Sequence, residues 1–227
     1  MKDIRTITLD LDDTLWDLPP VIRRAELRLY EWLGENYPRI TRMFTLQDTR
    51  ELRARVVERH ADRAHDLTFL RQTILSEIAT AAGYTEFLVE EAFAVFDKER
   101  NDVDMFPEAR PTLVALRERF TLVALTNGNA NLEKIGIADL FDAHINAQMA
   151  GAAKPERPIF DAAVEAGGAS AGETLHVGDH PWFDVHGARQ AGLRTAWVNR
   201  NEQPWPDEYE APDVEVRHIG ELLELMR

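Results

Sequence analysis

No cysteine occurs in the chain, which excludes a disulfide framework, a thiol nucleophile and any CxxC metal site. Covalent chemistry must therefore come from another side chain. There is no low-complexity tract and no internal repeat, so neither a disordered array nor a solenoid is expected. Long apolar runs are also missing. Residues 4–11 form an apolar stretch, but it contains Asp10 and is too short and too charged for a signal peptide or a membrane span. A cytoplasmic protein that does not engage a membrane is expected. Positive charge is scarce: 26 Lys and Arg stand against 40 Asp and Glu, a formal charge of −14. Such a surface repels nucleic acid and anionic lipid, because a binder of either needs a clustered basic face. A small anionic substrate is still compatible, provided that its site is locally positive.

What is present fits a globular protein. The 227 residues suffice for one large domain, or for one domain carrying an inserted module. Residues 4–9 are β-branched and apolar and read as a buried parallel strand that ends at Asp10, Asp12 and Asp13. From Pro19 the pattern turns helical, with Val21, Ala25, Leu29, Trp32 and Leu33 on one face. Further helices are expected over 45–61, over 67–82 with Gly83 as C-terminal cap, and over 85–98. A polar stretch follows at 101–111. Beyond it, strands are expected at 120–125, 143–147, 174–177 and 195–198, and helices at 112–119, 158–167 and 185–191. The expected fold is therefore α/β: a doubly wound, Rossmann-like parallel sheet over residues 1–16 and 101–227, interrupted by a helical insertion over 17–100. In open sheets of this kind ligands sit at the carboxyl ends of strands, where three polar segments converge here.

The first segment places Asp10 and Asp12 two residues apart as the chain leaves its strand, so both carboxylates can enter one crevice. A hard cation would relieve their repulsion, and an oxygen-only ligand set suits magnesium better than zinc. Asp10 could then attack phosphorus while Asp12 protonates the leaving alcohol. Any one acid after a strand more often caps a helix or forms a turn, and Asp13 fits that reading. The second segment, Thr126-Asn127-Gly128, offers a hydroxyl, an amide and flexible backbone for phosphate oxygens, although it is also a common turn sequence. Lys154 supplies a cation, where a solitary lysine is usually solvated. Asp179 follows Gly178 at a strand end, and Asp184 stands at the expected start of a helix; each could be only a cap. One shared site explains all of these together, whereas the alternative requires a separate coincidence at each.

In that order, Asp10-x-Asp12-x-Thr14, Thr126, Lys154 and Gly178-Asp179 with Asp184 resemble the four motifs of the haloacid dehalogenase superfamily, across essentially the whole chain. The resemblance implies a haloacid dehalogenase-like core with a helical cap over 17–100, and a magnesium-dependent phosphatase. It makes Asp10 the nucleophile, Asp12 the general acid and then base, and Thr126 and Lys154 the phosphate-stabilising groups. Asp10, the backbone carbonyl of Asp12, and Asp179 would ligate magnesium, with Asp184 either a ligand or a support behind the ligands. The family's dehalogenases lack an acid at the position of Asp12, since halide leaves without a proton, so the resemblance favours a phosphatase. The stretches 10–16, 125–130 and 175–179 are further similar to bacterial members that dephosphorylate flavin mononucleotide (FMN) and the phosphorylated ribitylamino-uracil of riboflavin synthesis. The stretch between Asn146 and Lys154 departs from them in being shorter. The implied partner is a small phosphorylated metabolite, bound by a monomer or homodimer. Trp16 and Trp182 lie in loops beside the motifs, where they either stack on a flat substrate or pack internally. A zinc site from His176, His180, Asp184 and His186 can be drawn but is disfavoured, because the carboxylates already explain that loop. Other readings are a sugar or nucleotide phosphatase or a phosphomutase of the same superfamily, a 2-haloacid dehalogenase, and a receiver-type phosphoacceptor domain, which has a different motif order and no such insertion.

Overall fold

Strand β1 (Thr6–Leu9) is buried at every position, as befits a central strand of a sheet covered on both faces. It pairs in parallel with β2 (Thr121–Thr126) on one side and β4 (Thr174–Gly178) on the other. Beyond β2 lies β3 (Ala143–Asn146), and beyond β4 lie β5 (Arg194–Val198) and β6 (Val214–Val216). The order is β3-β2-β1-β4-β5-β6, all parallel. The chain runs outward from β1 to β3, returns to β4 beside β1, and then runs outward the other way. This is the expected doubly wound α/β sheet, with its switch point between β1 and β4. β6 is an addition to the expected strands, because three residues with Glu215 at the centre carry no strand signal. The structure, a computed structural model, describes residues 3–85 and 87–226. It divides into two compact units, Met1–Asp17 with Asp104–Arg227, and Leu18–Val103.

The second unit is helical: α1 (Leu18–Asn36), α2 (Pro38–Met43), α3 (Leu46–Arg59), α4 (Leu67–Ala81) and α5 (Phe87–Arg100). On α1 the buried residues are Val21, Ala25, Leu29 and Leu33, a stripe spaced by four. Thr45 starts α3 in a capping box, each of Thr45 and Asp48 accepting the other's backbone N–H. At the end of α4, Gly83 at φ +72° donates its N–H to Thr80, and Tyr84 donates to Ala79, which together close a Schellman motif. Leu33, Ile40, Val56, Ile74 and Phe96 meet in this unit's own core. Of the expected helix over 85–98, residue 86 lies outside the described residues. No helix among the described residues is long and apolar enough to cross a membrane.

In the first unit, α6 (Ala109–Arg117) precedes β2, the short α7 (Leu132–Ile135) and α8 (Ala147–Ala150) flank β3, and α9 (Arg157–Gly167) leads to β4. Ile159, Phe160 and Ala163 of α9 pack with Val123 and Leu125 of β2. The helix expected at 185–191 begins earlier than its sequence suggests. A π-helical turn, Pro181–His186, comes first and runs into α10 (Gly187–Gln190), and α11 (Leu222–Leu225) closes the chain.

Candidate active site

Loops leaving the carboxyl ends of β1, β2 and β4 bring the chemistry to one place. The Asp10 N–H donates to the Val177 carbonyl at 2.8 Å, which extends the β1–β4 pairing by one residue and fixes Asp10 at the strand end. The N–H groups of Thr14 and Leu15 then turn back onto the Leu11 carbonyl. Asp13, at φ +61°, takes the left-handed conformation of that turn, which Asp tolerates better than most residues. Trp16 is fully buried, and its indole Nε1–H donates to Asp12 Oδ1 at 2.8 Å. Trp16 is therefore not a platform for substrate stacking, as its place in the sequence allowed; it holds Asp12. Trp182 is 38% exposed and lies parallel to His186 at 4.4 Å.

Lys154 is the centre of the arrangement. Its ammonium donates to Asp10 Oδ1 at 2.6 Å, to Asp184 Oδ1 at 2.6 Å and to the Leu125 carbonyl at 3.1 Å. All three N–H donors are thus taken. Its backbone is gripped by Asn127, whose side chain donates to the Lys154 carbonyl at 2.9 Å and accepts the Lys154 N–H at 2.6 Å. Each end of the amide thus makes one bond in placing Lys154, and the second N–H of the amide is beyond those needed for that grip. The Gly128 N–H donates to Thr126 Oγ1 at 2.8 Å. The Thr126 hydroxyl keeps its own proton for donation.

Asp184 lies within the π-helical turn, not at a helix start. The cap there is His180, whose Nδ1 accepts the N–H groups of Trp182 and Phe183. Asp184 Oδ1 also meets His176 Nε2 at 3.1 Å, and Oδ2 accepts the His180 N–H at 2.9 Å. His176 Nδ1 lies 2.8 Å from Thr8 Oγ1, its neighbour across the β1–β4 pair. A neutral imidazole with its proton on Nε2 satisfies both contacts, since Asp184 can only accept while Thr8 can donate. A Cβ on Gly178 would stand 2.3 Å from Asp184 Cγ, so glycine is required for that approach. Gly187 is required likewise, because a Cβ there would lie 2.8 Å from the Pro155 backbone.

The electrostatics follow from burial and crowding. Burial raises Asp10 well above the usual carboxylate range, with Lys154 opposing and Asp184 and Asp179 reinforcing. Burial also pushes Asp179 up to about 7, with Asp184 and Asp13 adding to it. Asp184 moves the other way: burial would raise it, but Lys154 and the His176 bond outweigh that and hold it below the usual range. Burial disfavours the Lys154 ammonium, yet Asp10 and Asp184 more than compensate and keep it charged. One ammonium thus faces three carboxylates, Asp10, Asp179 and Asp184, whose ligand atoms lie within 4.8 Å of one another. Two of the three resist ionisation where they stand, and a hard dication would reverse that penalty. The donor set fits magnesium, with oxygen atoms only and no imidazole or thiolate. Nothing in the sequence singles out Trp197, yet its Nε1–H donates to the Asp179 carbonyl at 2.7 Å.

A family description of haloacid dehalogenase-like hydrolases matches residues 4–192. The 5-amino-6-(5-phospho-D-ribitylamino)uracil phosphatase YigB of Escherichia coli is 33% identical over 98% of this chain and 96% of its own. Phosphoserine phosphatase of Thermus thermophilus is 33% identical over 67% of this chain and 63% of its own. The solved structure of a 2-haloacid dehalogenase from Pseudomonas syringae pv. Tomato matches with a TM-score of 0.93 and 37% identity, covering 98% of each chain.

Proposed function

The chain belongs to the haloacid dehalogenase-like hydrolases, and from that membership we propose that it is a magnesium-dependent phosphatase of small phosphomonoesters with Asp10 as nucleophile. The observation that carries the reading is Lys154, held at 2.6 Å from both Asp10 and Asp184. With Oδ1 of Asp10 fixed by Lys154, Oδ2 is the atom that attacks phosphorus. The ester P–O bond breaks, and the Asp12 carboxyl passes its proton to the departing alkoxide oxygen. Asp12, now a carboxylate, takes a proton from water as that water attacks the aspartyl-phosphate, which frees Asp10 and inorganic phosphate. Asp10, Asp179 and Asp184, with the Asp12 carbonyl, would hold magnesium, which when bound offsets charge on the carboxylates and on the phosphate. The Thr126 hydroxyl donates to a phosphate oxygen.

Dehalogenation is the second reading, favoured by the likeness to the Pseudomonas syringae enzyme. Asp12 argues against it, because departing halide needs no proton whereas an alkoxide does. For the substrate, likeness to YigB over nearly the whole chain supports the riboflavin precursor named for that enzyme, or FMN. The helical unit Leu18–Val103 is assigned the part of the substrate-selecting cap. The test is a panel of FMN, sugar phosphates, nucleotides and 2-chloropropionate, with magnesium or with chelator, reading released phosphate and chloride. Phosphate release that requires magnesium and is fastest on the flavin supports the reading. Fastest release from another ester discards the flavin assignment, and chloride release alone overturns the phosphatase.

A further inference from the structure

The helical unit encloses a second feature, separate from the carboxylate cluster of the other unit. A cavity of about 50 Å³ is walled by apolar side chains that include Leu33, Ile40, Phe44, Ile74 and Ile78. Glu26, Arg50, Arg53 and Arg71 also line it. The charges that line it do not balance, since three arginines stand there with one glutamate. That carboxylate is already shared, with Arg50 Nη2 at 3.3 Å from one oxygen and Arg71 Nη2 at 4.0 Å from the other.

Arg71 is the informative residue. Its side chain is 17% exposed, and its Cζ lies 3.5 Å from the centroid of the Phe96 ring. Stacking of that kind occupies the flat face of a guanidinium and leaves its fork of N–H donors in the plane. Among the described residues those donors have no hydrogen-bond acceptor, since the Glu26 contact is too long to be one. Burial, with Arg53 reinforcing and Glu26 opposing, pulls Arg71 down to about 10. The Arg71 nitrogens reach solvent, and a partner that is both charged and hydrogen-bonded would serve so nearly buried a cation better. What Arg71 lacks is a planar, bidentate anion, and what lies beside it is an apolar hollow.

We propose that this cavity binds a small carboxylate with a short branched apolar chain, its head on Arg71 and Arg53 and its chain among Leu33, Ile40, Ile74 and Ile78. At roughly 10–15 Å³ for each water-sized group, the hollow admits about three to five carbons. A monoanionic carboxylate matches the guanidinium fork and is less costly to desolvate beside apolar walls than a phosphate dianion. The site is independent of the phosphatase reading.

Isothermal titration of the full chain with 3-methylbutanoate tests it, beside 3-methylbutanamide, which lacks the charge, and sodium sulfate, which lacks the chain. Saturable binding of the carboxylate, with both controls at least tenfold weaker, supports the site. Arg71→Met, which keeps the apolar stem, weakens binding at least tenfold. Glu26→Gln removes the competing carboxylate and tightens binding several-fold, so the prediction stands even if the first variant folds poorly. Equal binding of the amide or of sulfate, no binding to the wild-type chain, or an affinity unchanged by Glu26→Gln overturns the proposal.

Discussion

Trp16 and Asp12 are four residues apart, and the indole N–H holds the carboxyl that the account makes a proton donor. The role of Asp12 depends on what leaves. An alkoxide needs its proton, whereas 4-nitrophenolate is stable without one. Asp12→Asn should therefore slow the first turnover of an alkyl phosphate by about 10²–10⁴-fold, yet leave the first-turnover burst of nitrophenol from 4-nitrophenyl phosphate far less affected. Rapid-mixing measurements on the two substrates check this, and an equal loss on both removes Asp12 from the acid role. At this scale the sequence is informative about which acids matter and silent about what holds them. Asp10, Asp12 and Asp179 follow strand ends and Asp184 lies in the turn beyond β4, and in the sequence they are legible as a set, not singly. The grip of Asn127 on Lys154 spans 27 residues, and the Thr8–His176 contact exists only once β1 and β4 are in register. No local pattern carries either.

The junction between β4 and the π-helical turn sets the position of Asp184, and Gly178 is its narrowest point. Gly178→Ala puts a methyl group 2.3 Å from Asp184 Cγ, so the turn must move. Overpacking of this kind costs about 1–3 kcal/mol, and the displaced Asp184 loosens its hold on Lys154. The expected outcome is a lower melting temperature together with a lower kcat, measured by calorimetry and steady-state assay. A variant with wild-type values for both contradicts the described approach. The same junction shows why some elements are hard to read from sequence. Buried parallel strands announce themselves as apolar runs, and α1 announces itself by its stripe of Val21, Ala25, Leu29 and Leu33. The π-helical turn is capped by an imidazole, outside the usual set of capping side chains. The four-residue α7, α8 and α10 are too short to show a helical period.

For the molecule as a whole, the crowded carboxylates make stability, pH and metal interdependent. Asp179, pushed up to about 7 from an ordinary 3.8, is an acid that the folded state keeps protonated. Between those two values the folded chain binds more protons than the unfolded one, so stability without metal falls as pH rises from about 4 to about 7. Asp10 acts in the same direction. Asp184 is held low, so its stabilising contribution is lost only as pH falls below the ordinary carboxylate range. Differential scanning calorimetry in chelator should therefore show a lower melting temperature at pH 8 than at pH 5. Magnesium should raise it more at pH 8, where the ligands are ionised. Asp179→Asn should flatten the pH dependence and abolish most of the magnesium effect. A melting temperature in chelator that rises from pH 5 to pH 8, or a magnesium effect that survives in Asp179→Asn, contradicts this account of the cluster.

The most direct test of the central claim is phosphate release by Asp10→Asn, measured beside the wild type on the best substrate at saturating magnesium. The variant keeps the size and fold of the site but loses the attacking carboxylate, and a rate at least about 10³-fold lower is predicted, on the scale of a removed nucleophile. Release within a few-fold of wild type would contradict the assignment of Asp10 as nucleophile, and with it the mechanism proposed for this chain.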